Sequence, residues 1–346
     1  MCDHESGEDA RCVKKSLCKL PTPPVDRTTL FTYSEAIDGG CTYLQICCPE
    51  SEINLASSLP PPIQKPVGCG YSNPGAHVFR VAASEYSYAD FGDFPWMVAL
   101  LKKTVSQAKF HDAYFGGGTL IDPSVVLTVA HKVDEMSASD LTCRAGEWDT
   151  KTEDEAYPHQ DRDAKKIVIH EQFSKVNLHY DFALIILERP FDLNAAPHIG
   201  VACLEKTLPP PGTECYSMGW GEDFMNSEKK YADILKKLKL PLVDGKKCQN
   251  QYRNSRLGAT YNLHKSLTCA GGVPNVDTCI GDGGSSLVCA IPDEENIRYS
   301  VVGMVAYGLD CGTSLPGVYA KIPEVYDWVH TKMVLEGFTN TALKKN

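Results

Sequence analysis

From Cys69 onward the chain reads as short apolar runs separated by polar breaks. The runs are Trp96–Leu101, Thr119–Val129, Lys165–His170, Phe182–Leu187, Tyr299–Ala306 and Gly317–Ile322, rich in Val, Ile, Leu and Tyr. Gly, Pro and Asp clusters divide them, a texture that predicts an all-β barrel or sandwich. One helix is predicted near the C-terminus. There Ile322, Val325, Tyr326, Val329 and Met333 recur at helical spacing, with Pro323 and Glu324 suited to a first turn. No run approaches the length of apolar chain that spans a bilayer as a helix.

The first 48 residues follow another logic. They hold Cys2, Cys12, Cys18, Cys41, Cys47 and Cys48, and so short a segment barely buries a core, so that three bridges would supply what its hydrophobic contacts lack. Residues 49–66, with Pro60-Pro61-Pro62 and Pro66, read as a semi-rigid linker. The predicted organisation is a cystine-rich module over 1–48, a linker and candidate processing region over 49–80, and a β domain over 81–346.

Composition narrows the function classes. Lys plus Arg number 34 against 44 Asp plus Glu, a formal charge of −10, which argues against general nucleic-acid binding. No Gly-rich phosphate loop is present, which argues against a nucleotide enzyme. Fifteen cysteines without paired C-x-x-C units point to disulfides in an oxidising compartment, hence secretion. The chain opens Met1-Cys2-Asp3 with no apolar segment, so the numbering is read as starting after a removed signal peptide. There is no N-glycosylation sequon. The odd cysteine count leaves at least one without an intrachain partner.

Six motifs in one order carry a resemblance. They are Phe94-Pro95-Trp96-Met97-Val98; Gly117-Gly118-Thr119-Leu120-Ile121 leading to Leu127-Thr128-Val129-Ala130-His131; Asp181-Phe182-Ala183-Leu184; Gly219-Trp220-Gly221; Cys279-Ile280-Gly281-Asp282-Gly283-Gly284; and Pro316-Gly317-Val318-Tyr319. Together they resemble a chymotrypsin-type serine protease domain over about residues 81 to 335. The N-terminal pattern ending in Cys47-Cys48 resembles the clip domain of arthropod clip-domain serine proteases. The implied fold is mainly β, a chymotrypsin-like double β-barrel with a C-terminal helix, preceded by a small disulfide-rich clip domain.

Acyl transfer by such a domain needs a hydroxyl nucleophile, an imidazole base and a carboxylate that sets the imidazole's tautomer. The resemblance assigns base and orienting acid to His131 and Asp181. It assigns the nucleophile to Gly283, which has no side chain and forms no acyl-enzyme. Ser285 lies two positions further on, about 6–7 Å of extended chain. The Cys279–Cys289 spacing equals the family's, leaving no insertion to shift the register. Loss of a catalytic serine lowers kcat about 10⁶-fold, and the surviving pair recovers none of it. The expectation is a pseudo-protease.

Further departures accompany this one. Gly116 and Lys132 stand where the family bridges two cysteines beside the active site, and Ala306-Tyr307-Gly308 replaces the usual Ser-Trp-Gly. Active members present Ile-Val-Gly-Gly after activation cleavage, and the new ammonium group buries against the Asp before the serine, here Asp282. After Arg80 this chain reads Val81-Ala82-Ala83-Ser84, so Arg80–Val81 is a candidate cleavage bond without the glycines that insertion uses. Asp277 takes the base of the primary specificity pocket, either to hold a basic side chain non-catalytically or as an inherited residue met by water or neighbours.

The resemblance also implies the bridges: Cys2–Cys47, Cys12–Cys41, Cys18–Cys48, Cys69–Cys203, Cys215–Cys289, Cys248–Cys269 and Cys279–Cys311. Cys143 is left over as a buried thiol, an intermolecular bridge, or the sign of a misassigned pair. Acidic Glu147, Asp149 and Asp154 match the region of the family's calcium loop, so Ca²⁺ is the one candidate cofactor, against a solvated acidic loop. No zinc spacing occurs.

Clip-domain homologues lacking the serine act, as a family, as cofactors in arthropod innate immunity, supporting prophenoloxidase activation and melanisation. The resemblance therefore implies a secreted haemolymph regulator. Its expected partners are prophenoloxidase, a clip-domain activating protease and further copies of itself. Two rival readings stand: weak residual hydrolysis through Ser285, and an adhesion or developmental scaffold.

Overall fold

The structure, a computed structural model, describes residues 2, 8–14, 17–19, 41, 45–53, 68–72, 88–103, 110–153, 155, 157–222, 231–273, 282–291, 298–309 and 313–338. Asp277, Arg80, Val81, Asp154 and the Cys279–Cys311 pair lie outside the described residues. In the N-terminal segment β1 (Ala10–Lys14) pairs antiparallel with β2 (Gln45–Pro49), setting Cys12 opposite Cys47. Bridges Cys2–Cys47, Cys12–Cys41 and Cys18–Cys48 tie this ribbon together. Apart from cysteines, Ala10, Ile46 and Pro49 are its only buried apolar residues among those described. Covalent links thus replace most of a core.

The rest is two β-barrels. Strands β3 (Met97–Lys102), β4 (Tyr114–Asp122), β5 (Val125–Thr128), β6 (Leu141–Ala145), β7 (Gln160–Ile169) and β8 (Ala183–Leu187) close in the order β3-β4-β5-β8-β7-β6. The second barrel uses β10 (Glu214–Gly219), β11 (Lys236–Val243), β12 (Leu267–Gly271), β13 (Ser286–Ile291), β14 (Arg298–Tyr307) and β15 (Pro316–Lys321). Pairing of β13 with β14 closes it, and β9 (Cys203–Leu204) adds in parallel on β14. Closure leaves few free edges, which suits the strongly apolar strands. Every residue of β5 and β8 is buried.

The helices are α1 (Phe110–Ala113), α2 (Ala130–Val133), α3 (Gly245–Arg253) and α4 (Tyr326–Leu335). The Asp244 side chain caps α3 by accepting from Lys246 and Lys247 N–H. Pro323 opens a short 3₁₀ turn over Ile322–Glu324, and α4 then buries Tyr326, Val329 and Met333. No described helix is long and apolar enough to cross a membrane.

Three more bridges pin the β domain: Cys69–Cys203, Cys215–Cys289 and Cys248–Cys269. Two buried indoles stitch elements of both barrels. Trp148 Nε1 donates to Ala89 O at 2.8 Å, and Trp220 Nε1 donates to Trp148 O at 3.2 Å. Cys143, in β6, is a free thiol with no exposed surface. Burial pushes it far above the usual thiol range, so of its three readings the folded chain presents the buried thiol.

Candidate functional site

The site lies where the first barrel's β5–α2 and β7–β8 connections meet the β13 end of the second. Val129 is extended, Ala130 starts α2, and His131 follows in its only turn. Asp181 stands two residues before β8 and has no exposed surface. Its Oδ1 accepts the His131 backbone N–H at 2.8 Å, and its Oδ2 accepts from His131 Nδ1 at 2.6 Å. A carboxylate only accepts, so the imidazole is held with hydrogen on Nδ1 and its Nε2 edge turned away from Asp181.

Nε2 faces the backbone of Gly283. A Cβ built on that glycine would lie 3.5 Å from it. The same Cβ would lie 2.6 Å from Lys132 Cε, because the lysine side chain runs across the glycine and donates from Nζ to Phe115 O at 2.8 Å. Gly117 N–H donates to Gly283 O at 2.9 Å, which fixes this backbone against β4.

Neighbouring glycines are explained by contact. Gly284 has φ +87°, and a Cβ there would fall 2.4 Å from Gly117 O and 2.5 Å from Thr128 Oγ1. A Cβ on Gly219 or Gly221 would sit 2.3 or 2.5 Å from the Asp282 carboxylate, which accounts for the Gly219-Trp220-Gly221 motif. Asp282 itself is buried. Its Oδ1 accepts Gly221 N–H at 2.9 Å, and its Oδ2 is 3.3 Å from Lys236 Nζ. Sequence reasoning missed Lys236, whose Lys236-Lys237-Leu238-Lys239 context reads as surface.

Ser285 is placed away from the imidazole. It has no exposed surface, and its Oγ packs against Gly117, 2.1 Å from where a Cβ of that glycine would be. Its Oγ makes no hydrogen bond to the described residues. A hydroxyl in this position reaches neither His131 nor a substrate. Tyr307, the last residue of β14, hydrogen bonds through its hydroxyl to Tyr261 Oη at 3.0 Å.

In the acidic loop Glu147 and Asp149 are engaged within the protein, and Asp154 lies outside the described residues. Glu147 Oε2 meets Arg144 Nη1 at 3.1 Å and His159 Nδ1 at 3.5 Å, while Asp149 Oδ1 accepts Lys151 N–H. The inward neighbour is Glu155, whose Oε1 accepts Asp149 N–H at 3.2 Å. Burial and then the charge of Glu147 push the Glu155 carboxyl up to about 8. Among the described residues no three carboxylate or imidazole atoms of this loop converge within 4.8 Å. Of these carboxylates, Glu147 is the one paired with the Arg144 guanidinium.

Two closed barrels with a His–Asp pair at their seam define a trypsin-like domain. The chain belongs to the trypsin family, whose model, described as Trypsin, matches residues 85–329. Phenoloxidase-activating factor 2 of Galleria mellonella is 45% identical over 297 residues, spanning 82% of this chain and 95% of that protein. Inactive CLIP domain-containing serine protease A8 of Anopheles gambiae is 35% identical over 294 residues, spanning 83% and 77%. Phenoloxidase-activating factor 3 of Holotrichia diomphalia is 29% identical over 352 residues, spanning 95% and 92%. Within the family the chain is a clip-domain serine protease homologue.

Proposed function

We propose that this chain is a secreted, non-catalytic protein cofactor of prophenoloxidase activation in arthropod haemolymph. The observation that carries the reading is the bare backbone at Gly283 opposite a preserved His131–Asp181 pair. Without a nucleophile the acyl-enzyme has no atom to form on, and binding is the function left to the cleft and its loops. The burial of Ser285 counts against the residual-hydrolase reading. The names of the relatives, two phenoloxidase-activating factors and an inactive CLIP protease, agree with it. The partners are prophenoloxidase, its clip-domain activating protease and other copies of this chain, with cleavage after Arg80 as the processing step.

The test adds the purified protein, intact or cut after Arg80, to prophenoloxidase and its activating protease. A change in phenoloxidase activity with either form, together with pulldown of a component, is expected. No change and no binding refute the assignment. Covalent labelling of the native protein by a fluorophosphonate refutes the loss of catalysis.

A further inference from the structure

The absent serine is one of two obstacles at this site. Lys132 follows His131 in α2, and its stem crosses two glycines from opposite barrels. A Cβ on Gly116 would lie 3.3 Å from Lys132 Cδ and 2.8 Å from Gly283 O. A Cβ on Gly283 would lie 2.6 Å from Lys132 Cε and 3.4 Å from Nζ. Real Cβ atoms do not approach a carbon to 2.6 Å, so a side chain at 283 would require the end of Lys132 to leave its bond to Phe115 O. The lysine is held there by its bond to Phe115 O, and burial lowers the ammonium's pKa, partly offset by Asp282 and Asp181.

We propose that Lys132 is a plug, filling the space through which a side chain at 283 would reach His131 Nε2. The plug is a positioning feature: it keeps the seam packed where Gly116 and Gly283 leave room, and it bars a nucleophile. Inactivity is therefore written at two positions, and reverting only position 283 restores a hydroxyl that reacts more slowly than it does with Lys132 also removed. This inference rests on the non-catalytic reading of the site but fails separately from it.

Two measurements on the full chain test it. The first is a thermal cycle with Gly283→Ala and Lys132→Ala. The added methyl lowers Tm by about 2 to 4 °C while Lys132 is present, through loss of its charged hydrogen bond, and by less than about 1 °C once Lys132 is alanine. Equal shifts in both backgrounds overturn the plug. The second uses Gly283→Ser with a fluorophosphonate. In labelling, the introduced hydroxyl oxygen bonds to phosphorus, fluoride leaves, and the hydroxyl proton passes to His131 Nε2. The Gly283→Ser, Lys132→Ala double variant is expected to label at least tenfold faster than Gly283→Ser alone. Labelling of the single variant at the double variant's rate overturns the proposal. If neither labels, the thermal cycle decides alone. Labelling of the unaltered protein would instead sink the pseudo-protease reading and leave the packing claim standing.

Discussion

Replacing Lys236 by methionine tests what holds the barrel seam together. Asp282 exposes 1% of its side chain and Lys236 13%, so their 3.3 Å contact sits away from water. Methionine keeps most of the stem's packing and removes the charge. Asp282 retains the Gly221 N–H at 2.9 Å but loses its nearest described cation. Breaking a buried pair by deleting one partner costs about 3–5 kcal/mol, whereas an exposed pair is worth about 0–1 kcal/mol. The retained N–H and the long contact place this case at about 3 kcal/mol, a Tm loss of about 6–12 °C for a domain of this size. Calorimetry at neutral pH reads it. Adding Asp282→Asn should recover more than half, because the amide still accepts from Gly221 without stranding a charge. A loss below about 0.5 kcal/mol for Lys236→Met, or a double variant worse than the single, refutes the reasoning. The pair also bears on processing. With Asp282 already matched by Lys236, cleavage after Arg80 is expected to leave the wild-type Tm unchanged.

Gly284→Ala is expected to cost about 2 kcal/mol or more, read by denaturant unfolding, since φ is +87° and Gly117 O is 2.4 Å from the new carbon. Stability is expected to fall between pH 7 and 5. Burial, the largest cause in each case, lowers the pKa values of His170, His179 and His264, so their contribution is present above the unfolded value of about 6.5 and is lost as pH falls through the folded values. Their facing groups are Glu171 and Lys332 for His170, the stacked partner ring for His179, and Lys265 and Glu324 for His264. His264→Gln should flatten the urea-midpoint profile across that window. Cys143 is expected to resist iodoacetamide in the native protein and to be alkylated on unfolding, as peptide mapping would show.

Apolar patterning exposed the fold class because several barrel strands, β5 and β8 among them, are buried on both faces. Phe182–Leu187 and Tyr299–Ala306 fall on β8 and β14 almost residue for residue. The pattern failed where exposure or a turn interrupts it. Thr119–Val129 is two strands, broken where the Asp122 carboxylate accepts Ser124 N–H at 3.0 Å. The first half of β7 is polar because it lies outside, with Asp161 on Arg144 and Asp163 on Thr142. Helix α3 buries only Cys248 and Tyr252, too few to register as a periodic face. In the site, His131 and Asp181 stand in recognisable motifs, whereas Lys132 and Lys236 are lysines whose burial depends on distant glycines and carboxylates. A signal for Lys132 was present: it and Gly116 together replace a paired feature of the family, and such coupled changes mark a shared space.

The survival of the His–Asp pair beside a missing nucleophile follows from unequal structural obligations. Asp181 has no exposed surface and takes two of its hydrogen bonds from His131, one from the backbone and one from Nδ1. Truncating the imidazole removes one donor and leaves a buried carboxylate under-satisfied, at about 1–3 kcal/mol or more. Removing the carboxylate frees the His131 N–H and the ring together. Each member of the pair is therefore retained by folding stability, with no need for catalysis. A side chain at 283 carries no such duty: nothing buried depends on it, and its space is taken by the stem of Lys132. Glycine at 283 is thus accommodated at little cost to the fold. The imidazole and its carboxylate stay because the seam between the barrels is built on them.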